Sequence, residues 1–314
     1  MKRTFLSYVE LDQESVRQIE RYAEVVTKNS SNFEESKKTA EAVLCITLKP
    51  EEIAKLENLK FVQVLSAGVD GVAWQHLPEH VLVAGNMGSN AEAVSEHTWA
   101  MILSIAKKIP HYFGRVRNAV FERDVEVLQL NGRTMLVVGM GSIGVKVAEV
   151  ARCFGMRVIG VTKSGKARGY ADVTLPWTRL EEALPEADII VISTPLTKYT
   201  RGMFNRNNLP LLKKGCIVVN VGRAEVVNRE DLIAFLKERQ DIVFATDVWW
   251  EVKRNEPWET ELIKLPNFVG TPWIAGAFGS PEVYKKMLKT AIQNIVKYFS
   301  GQTPDNLINR EDYV

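Results

Sequence analysis

Three glycines in Gly139-Met140-Gly141-Ser142-Ile143-Gly144, entered by the apolar run Leu136-Val137-Val138, have the spacing of a turn that holds a diphosphate. Gly139 permits a tight turn, Gly141 lets the backbone approach a pyrophosphate, and Gly144 lets the following helix pack closely on the strand. The chemistry is electrostatic. Ser142 and Ile143 stand at the start of that helix, where unpaired N–H groups and the helix dipole favour an anion. A second marker follows at the end of the next apolar run. An NAD site usually places an acidic residue there, about 20 residues beyond the glycines, to bind the ribose hydroxyls. This chain reads Val161-Thr162-Lys163-Ser164, with no carboxylate. Thr162 and Ser164 offer hydrogen bonds to a 2′-phosphate, Lys163 neutralises it, and the missing acid removes a repulsion. The pattern predicts NADP(H) in preference to NAD(H), the bland alternative being that Lys163 is only solvated.

Elements must hold these residues in place. Residues 135–138 read as a buried strand, 145–153 as its helix and 156–162 as a second strand, which is the β-α-β context the glycine turn requires. Further strands are expected at 189–193, 216–220, 242–246 and 268–270, with a helix over 231–238 capped by Asn228. In the first third, 4–9, 42–48, 61–66 and 81–84 read as strands, and 12–22 and 50–56 as polar or helix-period segments between them. Long helices are expected over 91–107 and 281–298. Such alternation predicts α/β architecture with parallel sheets. At 314 residues the chain exceeds what one core usually supports, so two domains are expected.

Composition narrows the classes. A net charge of +2 gives no electrostatic reason to expect nucleic acid or an anionic membrane surface as a partner. No apolar run is long enough to span a bilayer, and Glu10, Asp12 and Glu14 follow Lys2 and Arg3 too closely for a secretory leader. Cys45, Cys153 and Cys216 lie in apolar segments without metal-ligand spacing; small core residues in a reducing cytoplasm are the expectation, with no metal.

Several motifs then agree in order. They are Ser66-Ala67-Gly68-Val69-Asp70, Gly88-Ser89-Asn90 leading to Val94-Ser95-Glu96-His97, and the glycine turn. Thr194-Pro195-Leu196-Thr197, Lys214-Gly215 into Asn220-Val221-Gly222-Arg223, Asp247-Val248-Trp249, and Leu265-Pro266-Asn267 into Thr271-Pro272 follow. In this ordered set, from about residue 61 to 277, the chain resembles the D-isomer-specific 2-hydroxyacid dehydrogenases. That family includes glyoxylate/hydroxypyruvate reductases, phosphoglycerate dehydrogenases and formate dehydrogenases. The resemblance implies two Rossmann-like/flavodoxin-like domains with parallel sheets and an active-site cleft between them. Residues 1–95 with 282–314 would form the substrate domain and 96–281 the dinucleotide domain. It also implies a homodimer, a small 2-keto or 2-hydroxy acid as substrate, and a short glyoxylate- or hydroxypyruvate-type reductase.

Carried over by position, Arg223 is the catalytic arginine, whose permanent charge forks across carboxylate and carbonyl oxygens. Ala67 and Gly68 match the loop whose amides bind the substrate carboxylate, and Asn90 a position that touches substrate in formate dehydrogenases, helix capping being its other reading. Asp247 matches the acceptor for the nicotinamide carboxamide, and Thr194 and Pro195 the loop over the cofactor. His97 reads as a packed helix histidine.

One position departs. The family's proton donor is a histidine after Thr-Pro, oriented by a glutamate, and this chain has Thr271-Pro272-Trp273. An indole N–H donates a hydrogen bond but releases no proton near neutrality. Glu251 and Glu256 are the two candidates for the orienting acid, and spacing does not choose between them. His76, His80 and His111 stand in no proton-donor motif. A reductase is the leading expectation because the cofactor turn and Arg223 are intact. A catalytically silent dinucleotide-binding sensor is second, and a formate dehydrogenase third.

Overall fold

Runs of β-branched and small apolar residues build two separate parallel sheets in the computed structural model, which describes residues 3–123, 126–251 and 261–314. The first sheet comprises β1 (Thr4–Ser7), β2 (Glu24–Thr27), β3 (Ala40–Cys45), β4 (Phe61–Val64) and β5 (Leu82–Ala84), in the spatial order β2-β1-β3-β4-β5. Helices α1 (Gln13–Glu20), α2 (Phe33–Ser36) and α3 (Pro50–Ile53) fall between its strands. Asp12 starts α1 by accepting the Ser15 amide on its carboxylate. All four residues of β4 are buried, as expected where helices cover both faces of a parallel sheet.

The second sheet follows α4 (Ala91–Ala106) and α5 (Ile109–Arg117). Its strands are β6 (Thr134–Val138), β7 (Arg157–Thr162), β8 (Val173–Pro176), β9 (Ile189–Ile192), β10 (Ile217–Asn220), β11 (Val243–Thr246) and β12 (Phe268–Gly270). Between them lie α6 (Ser142–Cys153), α7 (Leu180–Ala183) and α8 (Arg229–Glu238), and the strand order is β12-β11-β10-β9-β6-β7-β8. The two-residue period of a strand divides its side chains between two cores. Leu136, Val138, Ile190, Ile192 and Val218 enter one, with Leu232 and Leu236 of α8. Met135, Val137, Ile189, Val191, Ile217 and Val219 enter the other, with Ile102 of α4 and Val147 and Ala151 of α6. Helices therefore cover both faces, and the loops at the carboxyl ends of the strands are left to bind ligands.

Helix α9 (Pro281–Phe299) belongs with the first sheet, packing on α1 and β4. Ser280 caps it by accepting the Val283 amide. The two compact units are Met1–Asn90 with Ser280–Val314, and Ala91–Gly279. Their boundaries fall immediately before α4 and at the cap of α9, whereas the sequence reading places them after residue 95, inside α4, and after residue 281, the first residue of α9. A packed helix belongs to one core as a whole, which explains the difference.

Two further departures from expectation are instructive. Cys45 and Cys216 are core thiols, with burial pushing Cys45 up to about 12 and Cys216 up as well, so both are poor nucleophiles. Cys153 is instead exposed, because it ends α6 on the outward side. Helix α5 was not anticipated and buries none of its residues. No helix among the described residues is long and apolar enough to cross a membrane, and no cluster of metal-ligating side chains occurs among them.

Candidate active site

The order of the second sheet reverses beside β6. From β6 the chain winds outward through β7 and β8, then returns so that β9 lies on the other side of β6. Loops from β6 and β9 consequently diverge at the carboxyl edge, where open α/β sheets bind ligands. The glycine turn leaves β6 at this point. Gly139 has φ +99, a conformation strained for any side chain, and a methyl group there would meet Thr194 N at 2.7 Å. Ser193 Oγ donates to Gly139 O at 2.8 Å, locking the β9 loop onto the turn. A side chain on Gly144 would run into the Gly139 carbonyl.

Gly141 differs from both. It caps α6 without any side-chain cap, and nothing among the described residues lies within 4 Å of where its Cβ would be. Space therefore stands open over the amides of the first turn, with Ser142 exposed and Ile143 half-buried. Uncapped N–H groups facing open space suit a diphosphate, so the residues present fit a dinucleotide. The loop over the turn is tied internally: Pro195 O accepts from Thr200 Oγ at 2.7 Å, and Thr194 is buried.

At the end of β7, Thr162 Oγ1 accepts the Gly165 amide at 2.9 Å and Ser164 Oγ the Lys166 amide at 3.4 Å. Each hydroxyl spends a lone pair on its own loop, and neither O–H donates to a group among the described residues. Lys163 is exposed, its ammonium 5.0 Å from the centre of the Tyr199 ring, with Lys198 at 5.5 Å from the same ring. Two cations thus flank one aromatic ring, the first from the loop after β7 and the second from the loop after β9.

Arg223, Asp247 and Thr271 follow β10, β11 and β12 respectively, three adjacent strands of the same edge. Asn220 shapes the first loop, accepting the Gly222 amide at 3.1 Å and donating to Arg223 O at 2.9 Å. The half-buried Arg223 side chain also donates from Nη1 to Gly222 O at 3.0 Å. Asp247 is buried and its carboxylate is densely satisfied. Oδ1 accepts from Thr271 Oγ1 at 2.6 Å and from the Ile274 amide at 3.0 Å, and Oδ2 accepts the Ala275 amide at 2.9 Å.

His97 joins this group, against the expectation that it only packs. Its Nε2 lies 2.9 Å from Thr271 Oγ1 and 3.8 Å from Asp247 Oδ1. Sequence marks neither His97 nor Thr271 as a site residue, although both stand in the ordered motifs. They are 174 positions apart, so only the fold brings them together. Trp273 is 42% exposed with φ +57, an uncommon backbone state for a bulky residue. Glu251 is exposed, and Glu256 lies outside the described residues.

The first unit presents its own candidate loop after β4. Ser66 Oγ donates to Gly68 O at 2.7 Å, and Asn86 donates from its amide group to Leu65 O at 2.8 Å. A methyl group on Gly85 would meet Ala67 O at 2.9 Å, so the loop is held closely from behind. The amides of Ala67 and Gly68 donate to no group among the described residues. Asn90 Oδ1 is buried without a hydrogen-bond partner among the described residues, and it accepts no amide at the start of α4, so the helix-capping reading of this side chain is not realised.

Known proteins match this arrangement. The model of the D-isomer specific 2-hydroxyacid dehydrogenase, NAD binding domain, matches residues 99–275. A glyoxylate reductase of Aeropyrum pernix is 32% identical over 270 residues, covering 82% of this chain and 79% of that protein. A D-3-phosphoglycerate dehydrogenase of Bacillus subtilis is 29% identical, covering 92% of this chain and 55% of its own length. A crystal structure from Pyrobaculum aerophilum, provisionally described as a formate dehydrogenase, superposes with a TM-score of 0.88 at 36% identity, covering 99% of this chain and 100% of that one. With the glycine turn, the polar edge beside it and these similarities in hand, the chain belongs to the D-isomer specific 2-hydroxyacid dehydrogenase family, nicotinamide-dependent oxidoreductases that act on CH–OH groups.

Proposed function

We propose that this chain reduces a small 2-keto acid such as glyoxylate or hydroxypyruvate, with NADPH preferred over NADH. The observation that carries the reading is the convergence of the glycine turn, Arg223 and Asp247 on one carboxyl edge. The bound dihydronicotinamide would supply a hydride to the keto carbon. Arg223 answers the charge that develops on the oxygen, since a fixed guanidinium stabilises an alkoxide more than a carbonyl. Among the described residues Asp247 Oδ2 accepts one amide, which leaves a lone pair for the carboxamide that orients the ring. The amides of Ala67 and Gly68 take the substrate carboxylate, and the orphaned Asn90 Oδ1 takes a donor from substrate or water. Trp273 closes or orients but releases no proton. Water protonates the alkoxide.

NADPH and NADH oxidation against glyoxylate, hydroxypyruvate, pyruvate and bulkier keto acids tests the reading, with cofactor binding followed in parallel. Turnover on a short keto acid is the expected result. The exposed Trp273 at the proton-donor position favours a second reading, a dinucleotide-binding protein without catalysis, and binding without turnover across the panel would establish it. Formate-dependent cofactor reduction would instead assign the third.

Cofactor preference is tested separately. The Thr162 O–H donates to no group among the described residues, and Lys163 and Lys198 concentrate positive charge nearby. Thr162→Asp puts a carboxylate where the 2′-phosphate would sit, so the NADPH:NADH affinity ratio should fall by about 10²-fold, roughly the 2–3 kcal/mol of one close charge reversal. An unchanged ratio removes this placement.

A further inference from the structure

Resting on the reading of Asp247 as the nicotinamide carboxamide acceptor, we infer that His97 is the residue that positions that carboxylate, acting through Thr271. The direction of each hydrogen bond follows from the atoms available. Thr271 donates its single O–H proton to Asp247 Oδ1 at 2.6 Å, so its oxygen can only accept from His97. The proton between His97 and Thr271 therefore sits on Nε2, 2.9 Å from the hydroxyl. A directed chain results, imidazole N–H to hydroxyl oxygen and hydroxyl proton to carboxylate.

Charge makes the chain matter. Asp247 is 4% exposed, and a carboxylate so removed from water needs compensation. Among the described residues, His97 is the only basic side chain within ion-pair distance of it, at 3.8 Å. The backbone amides of Ile274 and Ala275 fix one side of the group. The Thr271 hydroxyl fixes the other, and His97 fixes the hydroxyl. Without the imidazole the threonine hydroxyl is free to rotate off the carboxylate, which can then turn its remaining lone pair away from the ligand. His97 comes from α4, whereas Asp247 and Thr271 follow strands β11 and β12, so it also reports the seating of α4 on the edge of the sheet to the nicotinamide end of the site.

The test separates the two ends of the cofactor. Binding of NADPH and of 2′,5′-ADP, which has no nicotinamide, is measured by calorimetry on wild type, His97→Ala, His97→Gln and Thr271→Val, with NADH and ADP as a second pair and thermal melts as the folding control. His97→Ala should weaken dinucleotide binding about tenfold, the scale of a lost hydrogen bond to a charged network, and leave the adenosine fragment within roughly twofold. Thr271→Val should do the same, and the double variant should add little to either single one. His97→Gln, whose amide N–H reaches the same hydroxyl, should recover most of the affinity. Equal weakening of both ligands, full dinucleotide affinity in folded His97→Ala, or no rescue by glutamine would each overturn the inference. If His97→Ala fails to fold, the same ratio is read from Thr271→Val. A wild-type chain that binds the fragment and the dinucleotide equally would instead overturn the role of Asp247 itself.

Discussion

Arg223→Ala is expected to lower kcat/KM for the keto acid by on the order of 10³-fold while leaving NADPH affinity within about twofold. The size follows from what the guanidinium does. Its charge is permanent, and the backbone that carries it is held at the end of β10 by Asn220, which accepts the Gly222 amide and donates to Arg223 O. It meets an oxygen that becomes an alkoxide only as the hydride arrives, so its contribution falls mainly on the transition state. The glycine turn leaves a different strand, β6, which is why the cofactor should be indifferent to the change. Arg223→Lys should recover part of the loss, because an ammonium keeps the charge but not the fork. Steady-state kinetics with a parallel binding titration check both halves. Full activity in Arg223→Ala would remove the reductase reading.

The second large effect is a contrast between neighbouring glycines. Gly139→Ala should destabilise the second unit by about 3 kcal/mol, on the order of 10 °C in Tm, and abolish tight dinucleotide binding. Two penalties act together there: φ +99, and a methyl group 2.7 Å from the Thr194 amide nitrogen with no side chain free to yield. Gly141→Ala should leave Tm nearly unchanged, since its Cβ would meet nothing among the described residues within 4 Å and its φ is ordinary at −81. The same methyl group would occupy the space into which a diphosphate must come, so affinity should fall at least about tenfold. Thermal melts and cofactor titrations on both variants decide the matter. Equal behaviour would mean that the turn serves packing alone.

Much of this molecule was legible in its sequence, for local reasons. A continuous apolar run entering three spaced glycines states a buried parallel strand, a turn and a helix start, because strand burial and positive φ are properties of neighbouring residues. The strands of the sheet interiors and the long helices were expected nearly where they occur, as was the Asn228 cap, whose side chain accepts the Asp231 amide. The motifs were enough to indicate the family.

The elements that sequence did not show share a physical cause. β2 and β8 each lie at one edge of their sheet and are only partly buried, so neither carries a strong apolar signal. Helix α5 has no buried face to set a helical period. The sharpest case is His97, whose own segment describes a packed helix histidine well enough. Its partners Thr271 and Asp247 lie far along the chain, and no local pattern encodes a hydrogen bond across such a distance. Sequence by itself determined which strands end in chemistry. Only the tertiary structure, by winding β9 back beside β6 and setting α4 against the sheet, decided which of those ends meet one another.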